Sequence, residues 1–242
     1  MDVIVPNWTA PKNVKAISTT RIGGFSSSPY QGLNLGQHVG DDPALVEKNR
    51  DWLTDKSRLP TFPVWLNQTH STHVVEVNQP TKNILDADGV MTTHMNVVCS
   101  VMTADCLPVL LTNSNGTQVA AVHAGWRGLV NGILENAVSK MQGEIIAWLG
   151  PAIGPNAFEV GNEVRDMFVD VERKASIGFT PSPNEGKWMA DMSLLARQRL
   201  NSVNVQSVYS SDLCTFQSPE KFYSYRRDGV TGRQASLIWI SS

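Results

Sequence analysis

Two neighbouring stretches of the chain carry a cysteine and a histidine, residue types that together bind zinc. Met102-Thr-Ala-Asp-Cys-Leu-Pro108 contains the cysteine and Val119-Ala-Ala-Val-His-Ala-Gly-Trp-Arg-Gly128 the histidine. The apolar runs 107–112 and 119–122 flank the turn-forming Asn113-Ser-Asn-Gly116, which predicts a β-hairpin. Cys106 then enters the first strand and His123 leaves the second, so both lie at one end of the hairpin. A thiolate and an imidazole that converge there are suited to zinc.

A catalytic zinc site commonly uses three protein ligands and leaves a fourth position for water. We predict His70 as the third ligand because it lies in a polar segment between two predicted strands, directly after Gln68 and Thr69. Those polar neighbours can orient the imidazole or bind a substrate. The three candidate ligands are 36 and then 17 residues apart, which matches no structural zinc-finger pattern.

Two other interpretations use the same residues. Cys106 could be a catalytic nucleophile, with His123 as its base and Asp105 or Asn34 as the orienting group. Alternatively, Cys106 is a small buried apolar residue and His123 a structural histidine. Asp105 argues against the second interpretation because a carboxylate that enters a core needs a partner. Metal analysis separates zinc from a free nucleophile.

Three arginines in or beside loops suggest that the substrate carries a small anionic group. Arg127 lies at the start of a predicted helix, where backbone N–H groups attract anions. Arg21 lies in the glycine-rich loop Thr20–Ser26, and Arg226 follows Tyr223 and Tyr225. The alternative is that each arginine pairs with a surface carboxylate.

The elements that must position these residues belong to an ordinary globular chain. It has 242 residues, 41% of them hydrophobic and 17% charged, with a net charge of −2. This charge argues against binding to nucleic acid or to a membrane surface. No apolar run is long enough to span a bilayer, and the first residues lack the pattern of a signal peptide. With three cysteines in no framework spacing, we expect reduced thiols and a cytoplasmic location.

Short apolar runs and capping residues predict a strand-rich α+β or mixed domain with about four helices. Asp42 and Pro43 begin one helix that runs to about Lys56. The spacing of four between Leu129, Ile133, Ala137 and Met141 predicts one helix from about Trp126. Asp191 is expected to cap another helix. Residues 174–187, rich in Pro, Gly, Ser and Asn, are the candidate for a mobile insertion.

Eight motifs together resemble the YfiH-type laccase-domain family, once called multicopper polyphenol oxidoreductase and now described as purine nucleoside phosphorylase with adenosine deaminase activity. The resemblance extends from about residue 3 to residue 240, and the Thr-Ala-Asp-Cys and His-Ala-Gly-Trp-Arg-Gly blocks in this order are highly specific. The motifs are Ser18-Thr-Thr-Arg-Ile-Gly-Gly24, Leu33-Asn-Leu-Gly36, Gln68-Thr-His70, Thr103-Ala-Asp-Cys-Leu-Pro108, His123-Ala-Gly-Trp-Arg-Gly128, Gly150-Pro-Ala-Ile-Gly-Pro155, Phe158-Glu-Val160 and Tyr223-Ser-Tyr-Arg-Arg227.

The resemblance implies a single α+β domain over residues 1–242, in which mixed β-sheets form a sandwich-like core flanked by helices. It also implies a metal, usually zinc, held by His70, Cys106 and His123. Copper, named by the older label, fits less well, because a laccase needs several histidine-rich copper centres and the chain has five histidines. The residues matching motif positions that line the site are Arg21, Asn34, Gln68, Asp105 and Arg127.

The implied activities are phosphorolysis of inosine, adenosine, guanosine and methylthioadenosine, and deamination of adenosine. We expect Asp105 to act as general acid/base, and Arg21, Arg127 and Arg226 to bind phosphate. The partners are therefore a nucleoside and phosphate, and the chain is expected to be a monomer or a small homo-oligomer. A zinc amidase that removes a wrong L-Ser from UDP-MurNAc in peptidoglycan precursor editing is an alternative. A non-catalytic zinc-stabilised scaffold is another.

Overall fold

A computed structural model describes residues 2–242, which form sixteen β-strands and six α-helices. The strands are β1 (Val3–Ile4), β2 (Val14–Thr19), β3 (Pro63–Val64), β4 (Leu66–Asn67), β5 (Val74–Glu76), β6 (Leu85–Asp86), β7 (Gly89–Thr92), β8 (Val98–Thr103), β9 (Leu107–Asn113), β10 (Val119–Ala124), β11 (Ile145–Leu149), β12 (Glu159–Gly161), β13 (Phe179–Pro181), β14 (Lys187–Ala190), β15 (Ser207–Ser210) and β16 (Gln234–Ile240). The helices are α1 (Pro43–Lys56), α2 (Trp126–Val130), α3 (Ile133–Ser139), α4 (Asn162–Val171), α5 (Met192–Ser202) and α6 (Tyr225–Asp228). Two 3₁₀ turns span Gln37–Val39 and Arg173–Gly178.

Two mixed sheets face each other and form the predicted sandwich. One has the strand order β1-β2-β16-β8-β3, and the other has the order β15-β11-β9-β10-β7-β5. The side chains of β10 alternate: Val119 and Ala121 belong to the core between the sheets, whereas Ala120 and Val122 belong to the core on the outer face. This alternation places an apolar residue on both faces of the strand, as expected for a strand buried on both sides.

Helices cover the outer face of each sheet. Apolar side chains of α2–α5 pack on the six-stranded sheet, and Leu53 of α1 joins the core on the five-stranded sheet. The predicted caps are present, since the Asp42 carboxylate accepts a hydrogen bond from Ala44 N at 2.8 Å and that of Asp191 from Leu194 N at 2.9 Å. The α+β sandwich flanked by helices is thus confirmed. None of the helices within residues 2–242 is both long and apolar enough to cross a membrane.

Two local predictions were wrong. The apolar spacing after Trp126 belongs to two short helices, because Gly132 adopts a left-handed backbone (φ 97°) between α2 and α3 and ends the first helix. The interval 174–187, interpreted as a mobile insertion, contains most of a 3₁₀ turn and all of β13, which pairs with β14. β12, β13 and β14 form a three-stranded sheet, so this segment is part of the packed fold.

Candidate metal centre

The central hairpin brings Cys106 and His123 to one end of the six-stranded sheet. β9 and β10 pair antiparallel, with His123 opposite Pro108 and Ala124 opposite Leu107. Cys106 directly precedes β9, so its thiol lies beside the imidazole of His123. The hairpin prediction and the placement of both residues at its end are confirmed.

His70 completes a group of three soft donors. One ligand atom from each of His70, Cys106 and His123 lies within 4.8 Å of the other two. The His70 Nε2 atom is 3.7 Å from Cys106 Sγ, and the two imidazole rings meet edge to face with their centroids 4.9 Å apart. One thiolate and two imidazoles form a donor set of the kind that binds zinc. The three residues therefore form a group that could hold a metal ion.

A buried carboxylate, that of Asp88, holds the segment that carries His70. It accepts hydrogen bonds from the backbone N–H groups of Thr69 (3.1 Å), His70 (3.0 Å) and Ser71 (2.6 Å), and from the Ser71 hydroxyl (2.7 Å). These bonds stabilise the left-handed backbone of His70 (φ 61°), which turns its side chain towards Cys106.

Asp88 also orients His123. The Nδ1 atom of His123 is 2.8 Å from Asp88 Oδ1, which leaves Nε2 as the nitrogen free to bind a metal. Burial alone raises the pKa of Asp88, but hydrogen bonds from His123 and Ser71 outweigh it and hold the pKa well below its ordinary value. Asp88 is not among the residues that the sequence predicts for the site. Its signal is a carboxylate directly before Gly89, where a fully buried strand begins.

The electrostatics of the cluster favour a thiolate. Burial by itself raises the pKa of Cys106, but the positive charge of His123, with hydrogen bonds from His123 and His70, lowers it to about 6. Burial lowers the pKa of His123, but the Cys106 thiolate and the hydrogen bond to Asp88 raise it to about 9. Without an ion, the pair is therefore a thiolate and an imidazolium near neutral pH. A bound cation replaces the imidazolium proton as the counter-charge.

Gly125 gives the three donors the space that they need. A Cβ atom at this position would lie 2.5 Å from His70 Cδ2 and 3.3 Å from Cys106 Sγ. The backbone angles of Gly125 (φ −63°, ψ 158°) suit any residue, so the requirement for glycine is one of space and not of conformation.

A cavity of about 550 Å³ opens onto the cluster. This volume is in the range of small-molecule sites. Its lining combines the three donors with arginines and aromatic side chains, and holds Asp105 as its one carboxylate. The residues that line it are His38, Gln68, His70, Met102, Thr103, Ala104, Asp105, Cys106, His123, Trp126, Arg127, Ile153, Phe158, Met192, Tyr225, Arg226 and Arg233.

Two of the three predicted phosphate-binding arginines line this cavity. The guanidinium of Arg127 lies 4.4 Å from the Trp126 ring centroid, and that of Arg226 lies 5.1 Å from the Phe158 ring centroid. Arg226 also donates to the Glu159 carbonyl at 2.8 Å. Arg127 is exposed, and within residues 2–242 its guanidinium makes no hydrogen bond or ion pair.

Arg21 and Asn34 lie outside the cavity lining. Arg21 lines a separate surface depression, where it stacks on Tyr223 at 4.6 Å and donates to the Gln31 and Pro219 carbonyls. Asn34 is fully buried, and its Oδ1 accepts from Gly36 N at 3.0 Å and Arg233 N at 2.9 Å. The structure therefore does not bring either side chain to the three donors.

Gln68 and Asp105 line the cavity but already have protein partners. The Gln68 amide makes two hydrogen bonds of 2.8 Å with the backbone of Met102. The Asp105 carboxylate accepts from the Thr215 hydroxyl and from Arg226 N, both at 2.7 Å. The nucleophile interpretation expected Asp105 or Asn34 to orient His123. Neither does, and Asp88 takes this role.

Three further polar residues line the cavity but are not among the predicted site residues: His38, Thr103 and Arg233. Nothing in the sequence distinguished His38 from a surface histidine. Arg233 lies just before β16, and Thr103 lies opposite Gln234 in the neighbouring strand β8. Only the pairing of β8 with β16, which are distant in sequence, reveals that Thr103 and Arg233 are neighbours.

A family model described as multi-copper polyphenol oxidoreductase laccase matches residues 15–241. Among curated relatives, a Haemophilus influenzae protein named purine nucleoside phosphorylase is 51% identical over 244 residues, which cover 99% of this chain and 100% of the relative. The Escherichia coli K12 protein named purine nucleoside phosphorylase YfiH is 51% identical over 98% of each chain. The crystal structure of a Neisseria meningitidis protein superposes with a TM-score of 0.95 at 46% identity and covers 100% of both chains.

Proposed function

The chain belongs to the YfiH, or multi-copper polyphenol oxidoreductase laccase, family, and from this membership we propose that it is a zinc-dependent purine nucleoside phosphorylase that also deaminates adenosine. One observation carries the phosphorylase part of the proposal: the chain shares 51% identity over nearly its whole length with a relative named purine nucleoside phosphorylase. The cavity that opens onto a three-donor cluster supports it. The proposed domain spans residues 1–242, and the proposed nucleosides are inosine, adenosine, guanosine and methylthioadenosine.

Zinc is the proposed metal because the donors are one thiolate and two imidazoles. A copper laccase needs several histidine-rich centres, and only one group of three donors is found within residues 2–242. When bound, zinc would act as a Lewis acid that activates water or polarises the purine. The role of Asp88 is to keep the His123 Nε2 atom free and directed at that position.

In phosphorolysis, a phosphate oxygen forms a bond to C1′ of the ribose while the C1′–N9 bond breaks. The electron pair of the broken bond moves to the purine, which takes up the proton that the attacking phosphate loses and leaves as the free base. The chain has to bind phosphate, neutralise its charge and keep it beside the nucleoside. Three arginines and only one carboxylate line the cavity, in a protein of net charge −2, so the cavity is suited to an anionic co-substrate.

In deamination, water adds at C6 of adenosine and ammonia leaves. We propose that Asp105 accepts the proton from the attacking water. Each oxygen of the Asp105 carboxylate accepts one hydrogen bond, Oδ1 from the Thr215 hydroxyl and Oδ2 from Arg226 N. Each oxygen keeps a second lone pair, which can accept the proton. Trp126 and Phe158 supply apolar faces for a purine ring. Gln68 and Arg127 are proposed to contact the nucleoside.

The geometry around His123 favours a second candidate, a cysteine hydrolase. Cys106, His123 and Asp88 form a thiolate, an imidazole and an orienting carboxylate, which is the arrangement of a nucleophilic triad. The two candidates differ in their metal content, because a thiolate that binds zinc is not a free nucleophile. Stoichiometric zinc that protects Cys106 from alkylation supports the phosphorylase.

The test is to incubate the purified protein with inosine plus phosphate, and separately with adenosine alone. We expect hypoxanthine with ribose 1-phosphate from the first mixture, and inosine with ammonia from the second. Cys106→Ala should abolish both activities and release the zinc, whereas Cys214→Ala, outside the cavity lining, should retain them. Full turnover by Cys106→Ala without bound metal would contradict the zinc mechanism. Release of L-Ser from the UDP-muramyl substrate, without any phosphorolysis, would replace the assignment with the amidase.

A further inference from the structure

The cavity has two walls of different chemistry. On the side of the six-stranded sheet, Arg127 and Arg226 are stacked on the aromatic rings of Trp126 and Phe158. The opposite wall comes from segments beside the five-stranded sheet: the 3₁₀ turn with His38, the end of β8 with Thr103, and Arg233 before β16. It holds a guanidinium, an imidazole and a hydroxyl.

Arg233 keeps hydrogen-bonding capacity for a ligand. Its Nη1 atom donates to the carbonyls of Thr231 at 3.0 Å and Gly232 at 2.9 Å. Within residues 2–242 its Nε and Nη2 atoms make no hydrogen bond, yet they are not sealed from solvent. The stem packs tightly on Gly36, where a Cβ atom would lie 2.8 Å from Arg233 Cγ. The guanidinium is thus held in place, and the edge formed by Nε–H and Nη2–H is free for an acceptor.

His38 and Thr103 add to this wall. The His38 ring makes no hydrogen bond within residues 2–242, and desolvation together with the positive charges of Arg233, Arg50 and His123 lowers its pKa. His38 therefore offers a neutral imidazole, which can donate one N–H to a ligand. The Thr103 hydroxyl is buried and has no hydrogen-bond partner in the described chain. A buried hydroxyl without a partner costs free energy unless a ligand satisfies it.

We infer that His38, Thr103 and Arg233 form the binding subsite for inorganic phosphate, and that the aromatic wall receives the nucleoside. This inference rests on the proposed phosphorylase function and assigns phosphate to a different set of residues from Arg21, Arg127 and Arg226. The free Nε–H and Nη2–H edge of the guanidinium can bind two oxygens of a phosphate, and the Thr103 hydroxyl can donate to another. The arginines of the opposite wall stack on Trp126 and Phe158, so their N–H groups lie beside the aromatic faces that suit a purine and can contact the nucleoside.

Asn34 is the positioning residue of this subsite. Its Oδ1 atom joins Gly36 N, two residues before His38, to Arg233 N. Its Nδ2 atom donates to Asp41 Oδ2 at 2.9 Å, which anchors the amide. Asn34 thus ties together the two segments that carry His38 and Arg233, without lining the cavity itself.

The first experiment measures binding of inorganic phosphate to the zinc-loaded protein by isothermal titration calorimetry, in the absence of nucleoside. Arg233→Ala should weaken binding about tenfold or more, the size expected for a charge-assisted hydrogen-bond pair. Thr103→Val, which removes only the hydroxyl, should weaken binding about threefold to tenfold without lowering the unfolding temperature. Arg173→Ala, an exposed arginine outside the cavity lining, is the control and should bind phosphate like the parent.

The second experiment measures phosphorolysis of inosine. Arg233→Ala should raise the KM for phosphate about tenfold and that for inosine less than about twofold, whereas Arg127→Ala should do the reverse. Arg233→Lys, which keeps the charge, should recover part of the loss and shows that a folded protein is being compared. Equal rises in both KM values for Arg233→Ala would overturn the assignment. So would a phosphate KM that responds to Arg127→Ala alone.

The two experiments separate failure of the subsite from failure of the function. Phosphate binding that depends on Arg233 in a protein without phosphorolysis would retain the subsite and discard the phosphorylase. Phosphorolysis with a phosphate KM independent of Arg233 and Thr103 would do the opposite. Titration with inosine monophosphate is the third arm: binding of this ester through Arg233, with no binding of free phosphate, would overturn inorganic phosphate as the ligand.

Discussion

Asp88→Asn is the sharpest test of how the metal cluster is held. The substitution keeps the shape of the side chain but replaces one carboxylate oxygen by an NH₂ group. Five donors face the carboxylate: Oδ1 accepts from His70 N and His123 Nδ1, and Oδ2 accepts from Thr69 N and from the backbone and hydroxyl of Ser71. In either orientation the new NH₂ group therefore meets at least two donors.

The cost follows from these contacts. Hydrogen bonds to a charged group contribute about 1.5–3 kcal/mol each, and Asp88→Asn breaks two or three of them at a fully buried position. After partial relaxation we expect a loss of about 3–5 kcal/mol in the free energy of unfolding, the range for breaking a buried charged pair. If the amide instead donates to His123 Nδ1, the proton moves to Nε2, the nitrogen needed by the metal. Zinc affinity should then fall about 10–100-fold.

The assay is urea unfolding of the metal-free protein together with competition against a zinc chelator. Asp86→Asn is the matched control because Asp86 is exposed and accepts a 2.7 Å bond from Asn67. It should change stability by less than about 1 kcal/mol. Folding lowers the pKa of Asp88, so its contribution is present above the unfolded value of about 3.9 and is lost as the pH falls below it. The gap between parent and variant should therefore shrink in acid. If Asp88→Asn matched Asp86→Asn in both stability and zinc affinity, the argument that Asp88 organises the cluster would be refuted.

Three further perturbations test neighbouring parts of the site. In the metal-free protein, alkylation of Cys106 by iodoacetamide should have a midpoint near pH 6, and stoichiometric zinc should suppress it; a midpoint near 9 would contradict the thiolate–imidazolium pair. Gly125→Ala should lower zinc affinity at least about tenfold, since its Cβ would lie 2.5 Å from His70 Cδ2; unchanged affinity in the chelator competition would show that the ring is free to move. Asn34→Ala should raise the phosphate KM in the parent but raise it less in the Arg233→Ala background, where only its hold on the His38 segment is left to lose; fully additive effects in this double-mutant cycle would mean that Asn34 does not act through Arg233.

Predictions based on short stretches of sequence held where the determining contacts are local. The central hairpin depends on two apolar runs and the turn between them, so the meeting of Cys106 with His123 follows from neighbouring residues alone. The caps at Asp42 and Asp191 are likewise local, because each carboxylate bonds to a backbone N–H within three residues. The apolar spacing after Trp126 misled because one glycine conformation divides the helix.

The chemistry of the site is more widely distributed along the chain. The residue types of His70, Cys106 and His123 and the motifs around them determined which donors the protein offers and to which family it belongs. Whether an arginine faces the cavity is decided by packing between distant segments. Nothing in the sequence around Arg21 distinguishes it from an ordinary surface arginine, and it lies outside the cavity. Arg233 faces the cavity because β16 pairs with β8.

Only the tertiary structure decided how the donors are held and where the charges lie. Asp88 binds both His123 and the segment of His70 across intervals of 35 and 18 residues, and no periodicity in the sequence encodes such a bond. Gly125 matters for the space that it leaves, which depends on the side chains of two other segments. Side-chain identity sets what a residue can bind, but burial and long-range contacts set its partners, its pKa and the cavity that it faces.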